Sequence, residues 1–221
     1  MKIAAVMPCR NEARTIHDVV KEALTYVDEV VVADDSSSDE TAALARTAGA
    51  KVVSNSSSCN GAGANTKCGM STIDADIIVT LDGDGQHLAS EIPNVLALIL
   101  NGSADLVIGS RFMRAHSLPK YRKFGNDVIT FLYNFGHAQK VLDSQSCFRA
   151  FTHKLLSEID IEEKGFGFST EVLIKARDRG FRIIEVPITC IENNRHSNPL
   201  RQGLSVVWAT IKWRIREELL K

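Results

Sequence analysis

Residues 76–87 read DIIVTLDGDGQH, and the fold turns on how this stretch is understood. Residues 77–81 carry no charge and are apolar or β-branched throughout. A run that short reads as a strand buried on both faces, the habit of parallel sheets. The run then switches at once to carboxylates and glycines. In extended backbone Asp82 and Asp84 point to the same side, because side chains alternate with period two. Gly83 and Gly85 remove bulk and would let a ligand approach.

Working outward, similar apolar runs stand at 2–7 (KIAAVM), 29–33 (EVVVA), 51–53 (KVV), 105–108 (DLVI) and 182–186 (RIIEV). Segments of helical period lie between them, at about 12–26, 39–48, 61–73, 90–101 and 168–179, with a further helix near 120–139. This alternation predicts an α/β fold with a mostly parallel central sheet and helices on both faces. Ser37 and Glu40 have capping-box spacing, and Asp39 adds negative charge to a first turn, so a helix start is expected there. The aromatic-rich stretch from 110 to 150 (Phe112, Tyr121, Phe124, Phe131, Tyr133, Phe135, Phe148) is expected to leave the sheet and wall a site.

Composition narrows the class. The 221 residues hold 26 Lys plus Arg against 27 Asp plus Glu, a formal net charge of −1, which speaks against a general nucleic-acid binder. The five cysteines are odd in number and without CxxC spacing, so neither a disulfide framework nor a zinc ribbon is expected. A cytoplasmic, reducing setting fits them. The N-terminal apolar run is too short for a signal peptide, and stretches such as 92–100 fall short of the ~20 residues that cross a bilayer. The expectation is a cytoplasmic protein that can still lie peripherally on a membrane.

In open α/β sheets ligands gather beyond the carboxyl ends of the strands. Those ends read PCRNE (8–12), DDSSSD (34–39), DGDGQH (82–87) and GSR (109–111). Asp82, Asp84 and the amide oxygen of Gln86 form a hard-oxygen set suited to Mg²⁺ or Mn²⁺; the alternative is a polar turn after a buried strand. Asp34 and Asp35 precede the expected helix cap and are left over for ribose or base.

Taken in order, MPCRNEARTI (7–16), ADDSSSDET (33–41), LDGDGQH (81–87), GSRF (109–112), SQSCFRAF (144–151) and FSTEVLIKARDRGFRIIEVPI (168–188) resemble the family 2 glycosyltransferases of the GT-A fold. The likeness is nearest to the dolichyl- or polyprenyl-phosphate sugar transferases. It implies a nucleotide-sugar donor (GDP- or UDP-linked), a polyprenyl-phosphate acceptor and a single domain over 1–221, with a donor-binding half at 1–110 and an acceptor half at 111–221. It further implies that Pro8, Asn11, Glu12 and Asp34 or Asp35 border the nucleoside, that Asp82, Asp84 and Gln86 hold the cation, and that Arg111 faces phosphates. Arg195 would close over the diphosphate. Cys9 and Arg10 stand where the family often has an aromatic, and Ala62 where it commonly has a lysine.

An acceptor that is a phosphate monoester is largely ionised at neutral pH and needs no strong base. A saccharide or protein hydroxyl would need a carboxylate within ~3 Å. Glu171 is the first candidate and Asp143 the second, although Glu171 has the spacing to pair with Lys175 instead. A noncatalytic nucleotide-sugar-binding subunit is the reading from another class. At the C-terminus, Leu204, Val207, Trp208, Ile211, Ile215 and Leu219 recur at helical spacing beside Arg201, Lys212, Arg214, Arg216 and Lys221. Such a helix suits a membrane surface or a membrane-embedded partner, and equally its own sheet or a second copy in a homodimer.

Overall fold

In the computed structural model, which describes residues 1–54, 61–114, 119–191 and 199–219, the decisive apolar run becomes β4 (Ile77–Thr80) at the middle of a seven-stranded sheet. The other strands are β1 (Ile3–Cys9), β2 (Glu29–Asp34), β3 (Lys51–Ser54), β5 (Leu106–Ser110), β6 (Arg149–Thr152) and β7 (Ile183–Pro187), in the order β3-β2-β1-β4-β6-β5-β7. All neighbours run parallel except β6, which is antiparallel to both β4 and β5. The helices are α1 (Ile16–Ala23), α2 (Thr41–Ala48), α3 (Ala62–Met70), α4 (Ile92–Leu100), α5 (Lys120–Asn134), α6 (His153–Glu158), α7 (Phe168–Asp178) and α8 (Pro199–Leu219).

The period-two alternation of β1 sorts the core into two layers. Ala5, Met7 and Cys9 join the layer covered by α1, α2 and α4. Ala4 and Val6 join the opposite layer, where Met70 of α3, Tyr133 of α5, Leu155 of α6, Leu173 of α7 and Trp213 of α8 meet. Each fully buried Leu, Ile or Phe in these layers contributes about 1.5–3 kcal/mol of transfer free energy. Close approach sets one contact that shapes the site. A Cβ on Gly63 in α3 would lie 2.6 Å from the Glu163 carbonyl oxygen and 2.7 Å from Phe168 Cβ, so only glycine lets α3 sit against the segment entering α7.

Three expectations are corrected here. β6 and α6 are elements the sequence pattern did not announce. The expected start of α2 lies too early: the helix begins at Thr41, and Glu40 at its N-cap makes no side-chain cap hydrogen bond. Of the seven aromatics thought to wall a site, none lines the main cleft; Tyr121, Phe124, Phe131 and Phe135 project outward from α5 and are more than half exposed. α8 docks through Val206, Ala209, Thr210, Trp213 and Glu217, all buried, and Arg177 of α7 ties Glu217 down at 3.1 Å. The stripe read from the sequence faces the other way: Leu204 and Trp208 are 72% exposed and Ile215 56%.

Candidate active site

The parallel strands β1, β2 and β4 all end on one side, and a cleft of about 530 Å³ opens there. Pro8, Cys9, Arg10 and Glu12 line it from β1, Asp35 from β2, and Thr80, Leu81 and Asp82 from β4. The far wall is the start of α3 (residues 61–63, 65 and 66) together with Cys147, Arg149 and residues 165, 166, 168 and 169. Pro8, Glu12, Asp35 and Asp82 therefore border one space. Asn11, Asp34, Asp84, Gln86 and Arg111 do not line it. Asn11 adopts φ +57° and is latched to the next loop: its N–H donates to Ser37 Oγ (2.9 Å) and its Oδ1 accepts from Ser38 N–H (2.8 Å). Asp34 is buried behind the cleft, where Oδ2 accepts from Ser37 N–H at 3.3 Å.

Residues 37–41, expected to cap a helix, do so through Asp39, whose Oδ1 accepts from Thr41 N–H at 3.0 Å, and they also clamp the β1 loop to the β2 loop. Ala13 N–H donates to Asp39 Oδ2 and Glu12 N–H to Thr41 Oγ1. Sequence reasoning missed Asn65 and Arg149. Asn65 is 2% exposed and donates from Nδ2 to the Ala33 carbonyl; among the described residues its Oδ1, at the cleft wall, has no partner. Its signal was slight, a polar residue in the buried register of a glycine-rich helix.

Asp82 and Asp84 stand close enough to repel each other. Burial first, then the charge of Asp84, push the Asp82 carboxyl up to about 7, although the Cys147 thiol donates to it. Burial likewise raises Asp84, against hydrogen bonds from the Gln86 backbone N–H (3.0 Å) and Nε2 (2.8 Å). Gln86 therefore grips Asp84 through its backbone N–H and its amide nitrogen. Among the described residues no group of three or more His, Cys, Asp or Glu side chains is arranged to hold a metal ion. Two desolvated, mutually repelling carboxylates and an amide oxygen still form a donor set that a divalent cation would satisfy, with its other positions left to ligand oxygens. Gly83 is required by packing more than by a ligand, since a Cβ there would sit 2.4 Å from Cys9 Sγ. His87 is buried, and burial draws it down to about 3, so it stays neutral.

Arg111 is held bidentately by the buried Asp143, Nε to Oδ2 at 2.7 Å and Nη2 to Oδ1 at 2.8 Å. Burial opposes the Arg111 charge, but Asp143 outweighs it, and the same pairing holds Asp143 below the usual carboxylate range in spite of its burial. Asp143 is accordingly occupied and is no base. Glu171 is corrected too. It is fully buried away from the cleft, accepting from Glu162 N–H, Glu163 N–H and Lys175 Nζ, each at 2.8 Å. The pairing with Lys175 that the spacing allowed is formed, and it is buried at the Glu171 end. Arg195 lies outside the described residues.

Fold and site together define an α/β protein whose main cleft lies at the strand ends and is bordered by carboxylates. Residues 4–160 match the glycosyl transferase family 2 profile, and the chain belongs to that family. Glycosyltransferase AglJ of Haloferax volcanii is 34% identical over 211 residues, 91% of this chain and 68% of the relative. A dolichyl-phosphate hexose transferase of the same organism is 30% identical over 222 residues, 98% of this chain and 96% of the relative. Glucosyl-3-phosphoglycerate synthase from Mycobacterium tuberculosis, crystallised with Mn²⁺, UDP and phosphoglyceric acid, superposes with a TM-score of 0.80 at 22% identity, over 96% of this chain and 78% of that one. The fold is thus the GT-A fold, and the chain is a family 2 glycosyltransferase.

Proposed function

We propose that this enzyme transfers a hexose from a nucleoside-diphosphate donor, GDP- or UDP-linked, to a polyprenyl phosphate, with inversion at the anomeric carbon. The observation that carries the reading is Asp82 at the edge of the cleft, its carboxyl raised by burial and by Asp84. A divalent cation, Mg²⁺ or Mn²⁺, held by Asp82, Asp84 and the Gln86 amide oxygen would offset charge on the departing diphosphate. Pro8, Glu12 and Asp35 border the nucleoside, with Glu12 and Asp35 as acceptors for ribose hydroxyls or a base N–H. Arg111, fixed by Asp143 through Nε and Nη2, presents Nη1 to a phosphate of donor or acceptor. Residues 111–221 supply the acceptor half, while residues 147–169 extend the donor cleft beyond residues 1–110.

The state of the candidate bases favours a phosphate acceptor over a hydroxyl. Glu171 and Asp143 are both bound in ion pairs, and a phosphate monoester, already ionised, dispenses with them. No described helix is long and apolar enough to cross a membrane. The outward faces of α5 and α8 suit the surface of one instead: Tyr121, Phe124, Phe131 and Phe135 on the first, Leu204, Trp208 and Ile215 on the second. The dolichyl-phosphate hexose transferase supports this lipid acceptor, which on this reading the enzyme meets peripherally, from the cytoplasm. The test is to offer UDP- and GDP-hexoses with Mn²⁺ or Mg²⁺ and short polyprenyl phosphates, free saccharides or peptides, and to weigh the products by mass spectrometry. Sugar appearing on the lipid phosphate is the expected result. Transfer only to hydroxyl acceptors, or none to any, would reject the reading.

A further inference from the structure

Arg149, at the head of β6, is 1% exposed and lines the cleft beside Asp82, Cys147 and Ser169. Nη1 donates to the Ser169 carbonyl and Nη2 to the Ser144 carbonyl, both at 2.7 Å. Among the described residues the buried Nε has no hydrogen-bond partner. Asp143 acts on this guanidinium through space, but it is already bound by Arg111. Among the described residues Arg149 is thus a buried cation whose hydrogen bonds go to neutral carbonyls. Burial draws it down to about 10 without discharging it at neutral pH. Such a group is costly to keep unless an anion joins it.

The surrounding backbone has the same sign. The first turns of α3, at residues 61–66, and of α7, at Phe168 and Ser169, both line this wall, so two positive helix ends face the cleft. Glu12, Asp35 and Asp82 line the same cleft, with Arg10 3.9 Å from Asp35. The cleft therefore brings a buried cation and two helix N-termini together with carboxylates. Its complement carries an anion as well as hydroxyls.

We propose, on the strength of the donor-site reading above, that Arg149 is a binding residue whose Nε donates to a phosphate oxygen of the nucleoside diphosphate. β6 then contributes the charge by which the cleft distinguishes a nucleoside diphosphate from the bare nucleoside. The loss of one charge-assisted hydrogen bond corresponds to about 10- to 100-fold in affinity.

The experiment is calorimetric titration of uridine, UDP, guanosine and GDP, with Mn²⁺ present, into the full chain and into R149M and R149K. R149M is expected to weaken the preferred diphosphate about 10- to 100-fold and to leave its nucleoside within about threefold. R149K gives up the two carbonyl bonds but keeps a cation, its ammonium standing in for Nε as the donor to phosphate, and it is expected to retain the preference for diphosphate within about threefold. An unchanged preference in R149M, or an equal loss for nucleoside and diphosphate, would show Arg149 to be only a strut between Ser144 and Ser169. Should R149M lack a cooperative unfolding transition, R149K decides: loss of the preference in a folded R149K overturns the proposal. Wild-type chain that binds neither diphosphate rejects the donor-site reading itself, a result separate from these.

Discussion

Glu171 and Asp82 are both carboxylates that sequence spacing offers for chemistry, and their surroundings part them. Glu171 receives two backbone N–H groups and the Lys175 ammonium, so it fastens residues 162 and 163 to α7. Replacing it with glutamine removes the charge from a buried pair and is expected to cost about 2–4 kcal/mol of stability. Denaturant unfolding measures this, and kcat of the folded fraction should stay within a few-fold. A loss of about 100-fold in kcat at unchanged stability would restore Glu171 as a base. Asp82 carries the pH dependence. Its folded carboxyl, near 7, lies above the unfolded value of about 3.9, so the folded chain binds the extra proton between them. In the metal-free chain this group's contribution is therefore full below pH ~4 and is lost as pH rises through ~7. Thermal unfolding from pH 4 to 8 should show that fall in wild type, and D82N should flatten it; an equal slope in both would contradict the assignment. Cation affinity should move the other way and strengthen as pH passes ~7, because the ligand must be deprotonated.

The elements show what a linear pattern can and cannot carry. Continuous apolar runs made β1, β2, β4 and β5 plain, because strands buried on both faces need no polar alternation. β6 escaped because only Ala150 and Phe151 are apolar between Arg149 and Thr152, and the run adjoins the aromatic-rich stretch expected to leave the sheet. Only the fold supplies the carbonyls of Ser144 and Ser169 that make the charge tolerable there. The segment at 37–41 looked like a helix cap because Ser, Asp and Thr serve equally to bind any free N–H; it binds the β1 loop as well, 26–29 residues earlier in the chain. In α8 the spacing of Leu204, Trp208 and Ile215 was legible, but the direction it faces was not, since Val206, Ala209 and Trp213 form a second apolar stripe. Glutamate at Trp208 and Leu204 together should leave stability within about 0.5 kcal/mol, both sites being exposed. The same variant should bind lipid vesicles several-fold more weakly in a sedimentation assay, because exposed apolar area drives interfacial binding. A drop in melting temperature with vesicle binding unchanged would mean that α8 needs this face for its own packing.

At the scale of the whole molecule, strand order assembles the site. β2, β1 and β4 lie side by side and parallel, so their ends place Asp35, Glu12 and Asp82 around one cleft, although these residues are far apart in the chain. Sequence could name the carboxylates because each follows a buried strand. It could not give the insertion of β6 between β4 and β5, a long-range pairing that brings Cys147 and Arg149 to the same cleft. The central claim is that the paired acids hold a cation on a nucleoside diphosphate, and its most direct test is the thermal shift produced by UDP and GDP with and without Mn²⁺ in wild type and D84N. Ligand that binds only the folded state raises its stability by RT ln(1 + [L]/Kd), about 2.7 kcal/mol at 100 times Kd. Wild type should show an Mn²⁺-dependent shift with one of the two diphosphates, and D84N, folded, should lose that increment. An equal shift in D84N, or one in wild type indifferent to Mn²⁺, would contradict the account.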